Sequence, residues 1–229
     1  MYYGPKIATS GLVLYLDAAN KFSYPGSGTN WKDLSGNSNT GTLTNGPTYS
    51  ATNLGNIVFD GVDDYVVWNS LVWNYNNPFT ISFWFNLNSL GDPVYGWGFF
   101  FCGTTSSNVN RVQIGGRGDG SIYLYAETTT VNDTYSSSAS FVTTNTWYNF
   151  TITRISNTIT LYLNGNSFTS GAVTYSPSLS NNLYMGILRS NNALRYLNGK
   201  MANTLIYNRG LSTTEVLQNY NAVKSRFGY

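Results

Sequence analysis

A chain of 229 residues is long enough for one large domain, and a formal charge of +2 with 10% charged residues and no histidine leaves its polarity to neutral side chains. The twelve Lys and Arg are scattered from Lys6 to Arg226, which excludes a basic stripe for nucleic acid. No apolar run is long enough to span a bilayer, and the single cysteine, Cys102, has no partner for an internal disulfide, so stability must come from packing.

The opening MYYGPKIATS reads as an arm over residues 1–10, expected to dock on a neighbouring subunit, ahead of one domain over 11–229. It has no secretory-type apolar stretch, so synthesis in a cytoplasm is expected. Strand periodicity then dominates: LVLYLDA (12–18), FTISFWFNL (79–87), RVQIGG (111–116), SIYLYAE (121–127), WYNFTITRI (147–155), TITLYLNG (158–165) and LYMGIL (183–188). In FTISFWF, Phe79, Ile81, Phe83 and Phe85 share one face while Thr80 and Ser82, followed by Trp84, point the other way. Ser156-Asn157 and Asn164-Gly165 supply the turns of a meander. Many short strands at this spacing predict an all-β, two-sheet antiparallel jelly-roll sandwich.

The last segment changes period. In LSTTEVLQNYNAVKSRF (211–227) Ser212 and Glu215 make a capping box and Leu211 with Val216 a hydrophobic staple, so a short C-terminal helix is predicted over Thr213 to Ser225. Val216, Tyr220, Val223 and Phe227 fall on its inner face.

Three aspartates stand together in IVFDGVDDYVVW (57–68). Glycoside hydrolysis needs two carboxyl groups facing each other across a sugar, one kept protonated. Asp63 and Asp64 are adjacent and point to opposite faces, the chain has only two glutamates, Glu127 and Glu215, and the second serves the capping box. With no histidine to act as a base, no catalytic residue is assigned and no enzyme is expected. Two readings stay open: a calcium site with Asp60 and Asp63 as ligands, or a turn at Asp60-Gly61 whose exit Asp63 and Asp64 solvate and cap. No cofactor other than calcium is called for.

Glycan binding rests on rings outside the core, since a sugar's apolar face stacks on Trp or Tyr while amides hold its hydroxyls. Trp31, Trp73, Tyr75, Tyr95 and Trp97 lie in or beside irregular, Asn- and Gly-rich segments and are the carbohydrate-binding candidates; the alternative is that they cover the ends of the sandwich or meet another subunit. The stretches 74–78 and 91–101 are the expected aromatic interface of an oligomer. RGD at Arg117 to Asp119 fits a hairpin turn better than an adhesion motif, and the Asn132 and Asn149 glycosylation patterns read as chance matches.

GLVLYLDAAN, WKDLSGNSNTGTLTNGPTY, IVFDGVDDYV, FTISFWF, TITLYLNG and LNGKMANTLIYNRGLSTTEVLQNYNAVKSRF together resemble the laminin-G-like domains of the concanavalin A-like lectin/glucanase superfamily, in the form carried by structural proteins of tailed bacteriophages. The resemblance implies a jelly roll that binds glycans and in some members calcium. Ala202-Asn203 stands where many relatives carry an acid, so one carboxylate that the resemblance implies for calcium is missing. The implied role is a non-enzymatic virion surface protein, of tail-fibre or head-decoration type, whose lectin-like domain holds glycans. The alternatives are a structural subunit that coats or clamps other virion proteins, or a secreted bacterial adhesin module. The expected partners are other virion proteins, copies of the same chain and glycans, with neither nucleic acid nor membrane, and the expected location is the virion or, failing that, the extracellular space.

Overall fold

The structure is a computed structural model that describes residues 6–68, 71, 73–91, 96–103, 110–177, 179, 182–190 and 193–229. The first strands are β1 (Leu12–Asp17), β2 (Asn30–Trp31), β3 (Gly41–Thr44), β4 (Thr48–Ser50), β5 (Asn56–Asp60) and β6 (Tyr65–Trp68). β7 (Phe79–Leu87), β8 (Trp97–Cys102), β9 (Arg111–Gly116), β10 (Ile122–Glu127), β11 (Asn132–Ser136) and β12 (Trp147–Ile155) follow. The chain then forms β13 (Thr158–Leu163), β14 (Asn166–Ala172), β15 (Leu183–Met185), β16 (Ile187–Ser190), β17 (Ala193–Tyr196), β18 (Asn198–Tyr207) and the helix α1 (Thr213–Val223), which continues as a 3₁₀ turn over Lys224–Phe227.

One sheet runs β14-β13-β12-β7-β18-β5-β4, with β1 also paired to β18; the second runs β11-β10-β9-β8-β15-β6-β3-β2. All pairings among the described residues are antiparallel. The inner face of β7 meets the opposite sheet, with the Phe83 and Phe85 rings 4.8 and 4.4 Å from that of Phe99. The sandwich with one C-terminal helix is the architecture read from the strand spacing.

β7, β9 and β12 begin and end where alternation places them. The outer face of β7 departs from expectation: Thr80, Ser82 and Trp84 are all buried. The helix and its 3₁₀ turn cover Trp84, which clusters with Tyr220 and Phe227, whereas Thr80 is bonded to the Arg209 carbonyl and the Leu211 amide and Ser82 to Thr151 and Asn149 of β12. The helix keeps its predicted start, where the Ser212 side chain accepts from the Glu215 amide, and Leu211 and Val216 share a buried cluster. It ends as an α-helix two residues early, at Val223, and tightens into the 3₁₀ turn.

LYMGIL is not one strand. Gly186 breaks it with a φ of 86°, a left-handed conformation that favours glycine, and a Cβ there would also sit 2.8 Å from the Phe59 ring. Beyond it, β16 leaves the sheet and pairs with β17 as a separate hairpin.

Of the segment read as an arm, the described part at Lys6 and Ala8 is hydrogen-bonded to its own domain. Asn219 Oδ1 accepts the Ala8 amide at 2.8 Å, Tyr207 Oη donates to the Ala8 carbonyl at 2.8 Å, and Gln218 Nε2 donates to the Lys6 carbonyl at 2.6 Å. Residues 1–5 lie outside the described residues.

Candidate functional site

The acidic turn carries the chain from β5 in one sheet to β6 in the other. Asp60 Oδ1 accepts the Val62 amide at 2.8 Å, and Asp64 Oδ2 reaches back to accept the Asp60 amide at 3.0 Å, so two of the three carboxylates shape the loop as the turn reading requires. Asp64 differs from that reading in being buried rather than solvating the exit. Desolvation, with the charges of Asp60 and Asp63 adding, raises its carboxyl above the ordinary value.

One oxygen from each of the three acids lies within 4.8 Å of the others. Two ligands of one calcium ion are at most about 5 Å apart, twice the usual bond length, so the spacing and the hard-oxygen donor set fit such a cation. Asp60, Asp63 and Asp64 would hold it, the last a ligand not among the two picked from the sequence. Ala202, where the resemblance implies an acid, is buried against Trp84 and Tyr220 four residues along β18 from Asn198, the partner of Asp60.

The aromatic candidates are mostly interior, which corrects the expectation that they stand outside the core. Trp31, Tyr75 and Trp97 are buried members of the main core cluster and present no face to a sugar. The same burial removes Tyr75 in 74–78 and Trp97, Phe99 and Phe100 in 91–101 from the expected aromatic interface, and Phe101 is covered beside Tyr184, while residues 92–95 lie outside the described residues. Tyr95 lies outside the described residues.

Trp73 alone among the four described candidates keeps partial exposure. Its ring stands edge-on to Phe79 at 5.1 Å, and its Nε1 is buried with no hydrogen-bond partner among the described residues. It lines a surface cleft of about 120 Å³ whose mouth carries the exposed side chains of Asn74, Asn77 and Asn208. The loop behind them is pinned, with Asn74 Oδ1 accepting the Asn76 amide at 2.9 Å and the Asn74 carbonyl accepting the Asn77 amide at 3.2 Å. One indole with three carboxamides is the chemistry that holds a neutral sugar ring.

A larger groove of about 700 Å³ runs between β1 and the chain's last turn, lined by Leu12, Tyr15, Leu34, Leu54, Val223 and Arg226 among others. Arg226 closes its floor: Nη1 pairs with Asp17 at 2.7 Å, Nε donates to the Asn53 carbonyl at 2.5 Å, and Nη2 donates to the Gly55 carbonyl. Desolvation and the Asp17 charge both push the Tyr15 phenol up. The far wall is fixed by Asp33, which accepts the amides of Tyr15, Ser35 and Asn39 at 2.9, 2.8 and 3.0 Å. Sequence reasoning missed this wall, although the Asp33-Leu34-Ser35 spacing is that of an Asx turn.

Other groups are taken up structurally. Glu127 pairs with Arg111 at 2.8 Å, and Glu215 with Arg209 at 2.5 Å. Burial pushes the Cys102 thiol up to about 12, which keeps it protonated. The RGD tripeptide forms the β9–β10 hairpin turn, with Arg117 4.8 Å over the Tyr123 ring. Asn149 is buried and donates to Ser82 Oγ and the Phe83 carbonyl, so its amide faces the sheet and not solvent.

Residues 60–217 match the family model described as Concanavalin A-like lectin/glucanases superfamily. No curated protein matches the sequence significantly. Solved structures share the fold: the binding domain of Paraclostridial Mosquitocidal Protein 1 superposes with a TM-score of 0.72 at 19% identity, over 93% of this chain and 52% of that one. The binding domain of botulinum neurotoxin DC in complex with rat synaptotagmin II gives 0.73 at 16%, over 94% and 52%. The same toxin's binding domain in complex with SialylT gives 0.72 at 14%, over 94% and 52%. The chain thus spans about half the length of these domains, and at such identities the likeness is one of fold.

Proposed function

The chain belongs to the concanavalin A-like lectin/glucanases superfamily, and on that premise we propose that it is a non-catalytic, lectin-like binding module that takes one ring of a neutral glycan in the Trp73 cleft. The observation that carries this reading is the pairing of a partly exposed indole with the exposed carboxamides of Asn74 and Asn77 on a pinned loop and of Asn208 just beyond β18. The cleft holds about four water volumes at roughly 30 Å³ each, which suits one inserted ring end rather than a chain. A hydrolase would need two carboxyl groups across the bond it cuts. The cleft is lined by none, and the groove only by Asp17, which is tied to Arg226.

We place the module on a virion surface, among other virion proteins or further copies of itself, where a rigid sandwich presents the cleft to host or environmental polysaccharide. In the neighbouring fold, domains in complex with SialylT and with rat synaptotagmin II support a ligand-holding role for this architecture.

A glycan array with the purified chain tests the reading. Reproducible signals lost in Asn77→Ala and Asn208→Ala, both exposed positions that leave the core intact, support it. Silence on the array together with tight association with capsid or tail proteins would instead favour a purely structural subunit.

A further inference from the structure

The 700 Å³ groove is within the roughly 300–1,000 Å³ span of small-molecule sites, yet its lining is unlike that of the cleft. Ile7, Leu12, Leu34, Leu54 and Val223 make it largely apolar. At its rim the chain turns with Asn53 at φ 50° and Leu54 at φ 66°, a conformation that leucine rarely adopts, and it leaves the Leu54 side chain 72% exposed. Strain and apolar exposure coincide on one residue, and Arg226 holds that turn in place through the carbonyls on either side, Asn53 and Gly55.

The polar groups narrow the occupant. The main chain around the groove is already paired: the Tyr15 amide to Asp33, the Tyr15 carbonyl to the Leu34 amide, and the Val13 carbonyl to Ser35 and Asn39. A peptide strand would find no open edge to add to, and a sugar would be left with the Thr9 and Ser225 hydroxyls, since the Ser35 hydroxyl is bonded to the Val13 carbonyl and Asp33 and the Tyr15 hydroxyl to Asp17. Asp17 and Arg226 neutralise one another at 2.7 Å, which leaves Lys6 as the remaining charge of the lining.

We infer that this groove is a second binding site, independent of the Trp73 cleft, for a single aliphatic chain carrying an anionic head group, of the free fatty acid class, with Leu54 closing over the chain and Lys6 attracting the carboxylate. The walls are preset by the Asp33, Asn219 and Arg226 hydrogen bonds, so little ordering accompanies binding.

Calorimetric titration of the intact chain with dodecanoate, kept below its micelle concentration, tests this, with dodecyltrimethylammonium as the comparator. Saturable one-to-one binding of the carboxylate is expected, with the cation about tenfold weaker at low salt. Lys6→Gln should remove most of that preference. Leu54→Asn puts in a residue that tolerates positive φ, so its melting temperature should hold or rise while affinity falls by roughly five- to tenfold. Ala222→Trp, from the half-buried end of α1, should fill the groove and abolish binding without affecting glycan binding at Asn77 and Asn208. The inference is overturned by absent or non-saturating binding, by equal affinity for the two head groups, by full affinity in Ala222→Trp, or by a Leu54→Asn variant that melts lower yet binds as well as the parent.

Discussion

The Phe227 ring stacks on the Trp84 indole, centroids 4.2 Å apart and planes 19° from parallel. Trp84 sits on the outer face of the central strand β7, so this contact joins the last turn of the chain to the middle of the sheet, and Tyr220 stacks on the same indole at 5.6 Å. Removing a buried ring of this size costs the transfer term and leaves a cavity. Phe227→Ala should therefore lose about 3 kcal/mol in urea unfolding. Because the adjacent Arg226 forms the groove floor, the variant should also weaken dodecanoate binding; a loss below about 1 kcal/mol would mean that the C-terminal turn is not seated on the sheet.

Glu215 carries a pH dependence whose sign can be worked out. The Arg209 guanidinium, then the Ser212 amide, hold its carboxyl down to about 2 from an ordinary 4.5. A depressed pKa stabilises the fold above the unfolded value and loses that contribution as pH falls through the folded one. The melting temperatures of the parent and Glu215→Gln should thus differ most above pH 4.5 and converge as pH approaches 2. At neutral pH, Glu215→Ala should cost about 1 kcal/mol through the cap it completes for Ser212. A gap between the curves that persisted at the acid end would assign the effect to something other than this carboxylate.

At the acidic turn the sign is opposite. The raised Asp64 carboxyl opposes folding when ionised, so in metal-free protein Asp64→Asn should leave the melting temperature unchanged or higher at neutral pH. Calcium would relieve the same repulsion. At ten times its Kd a single ion adds about 1.4 kcal/mol, or about 3–6 °C for a domain of this size. We expect calcium to raise the melting temperature, chelator to reverse it, and Asp60→Ala to abolish the response; an unchanged melting curve in millimolar calcium leaves the three acids as turn residues.

The parts of the fold legible in the sequence are those set by local chemistry. Alternation marked β7, β9 and β12, and Ser212 with Glu215 marked the start of α1, because period and capping act over a few residues. Burial of Trp31, Tyr75 and Trp97 was not legible; part of the cover of Tyr75 is Arg154 of β12, whose guanidinium stands 5.1 Å from its ring. Thr80 shows why: its Oγ1 donates to the Arg209 carbonyl and accepts the Leu211 amide, so a polar residue on an apparently outer face is sealed by a segment some 130 residues later. The groove is equally non-local, as β1, the 33–35 turn, Leu54 and Arg226 meet only in the folded chain. Trp73 survives as a candidate because, in the loop that leads into β7, its ring keeps partial exposure beside the cleft.

The Trp73 cleft makes a further prediction through what it lacks. Its lining of Val13, Leu71, Trp73, Pro78, Phe79 and Ile206, with Tyr207 and the three asparagines, contains no ionisable group that titrates near neutrality and no fixed charge. A ligand held there is bound by stacking and by neutral hydrogen bonds, both of which are insensitive to ionic screening. Affinity for a neutral glycan should therefore change less than about twofold between roughly 50 and 500 mM salt, over which the Debye length shortens about threefold. It should also stay level from pH 5 to 8, since the chain has no histidine and Asp64 is in a different turn. A steep loss with salt, measured on the same glycan that Asn77→Ala no longer binds, would mean that charged groups beyond the cleft contribute most of the binding and that an acidic polysaccharide is the better ligand.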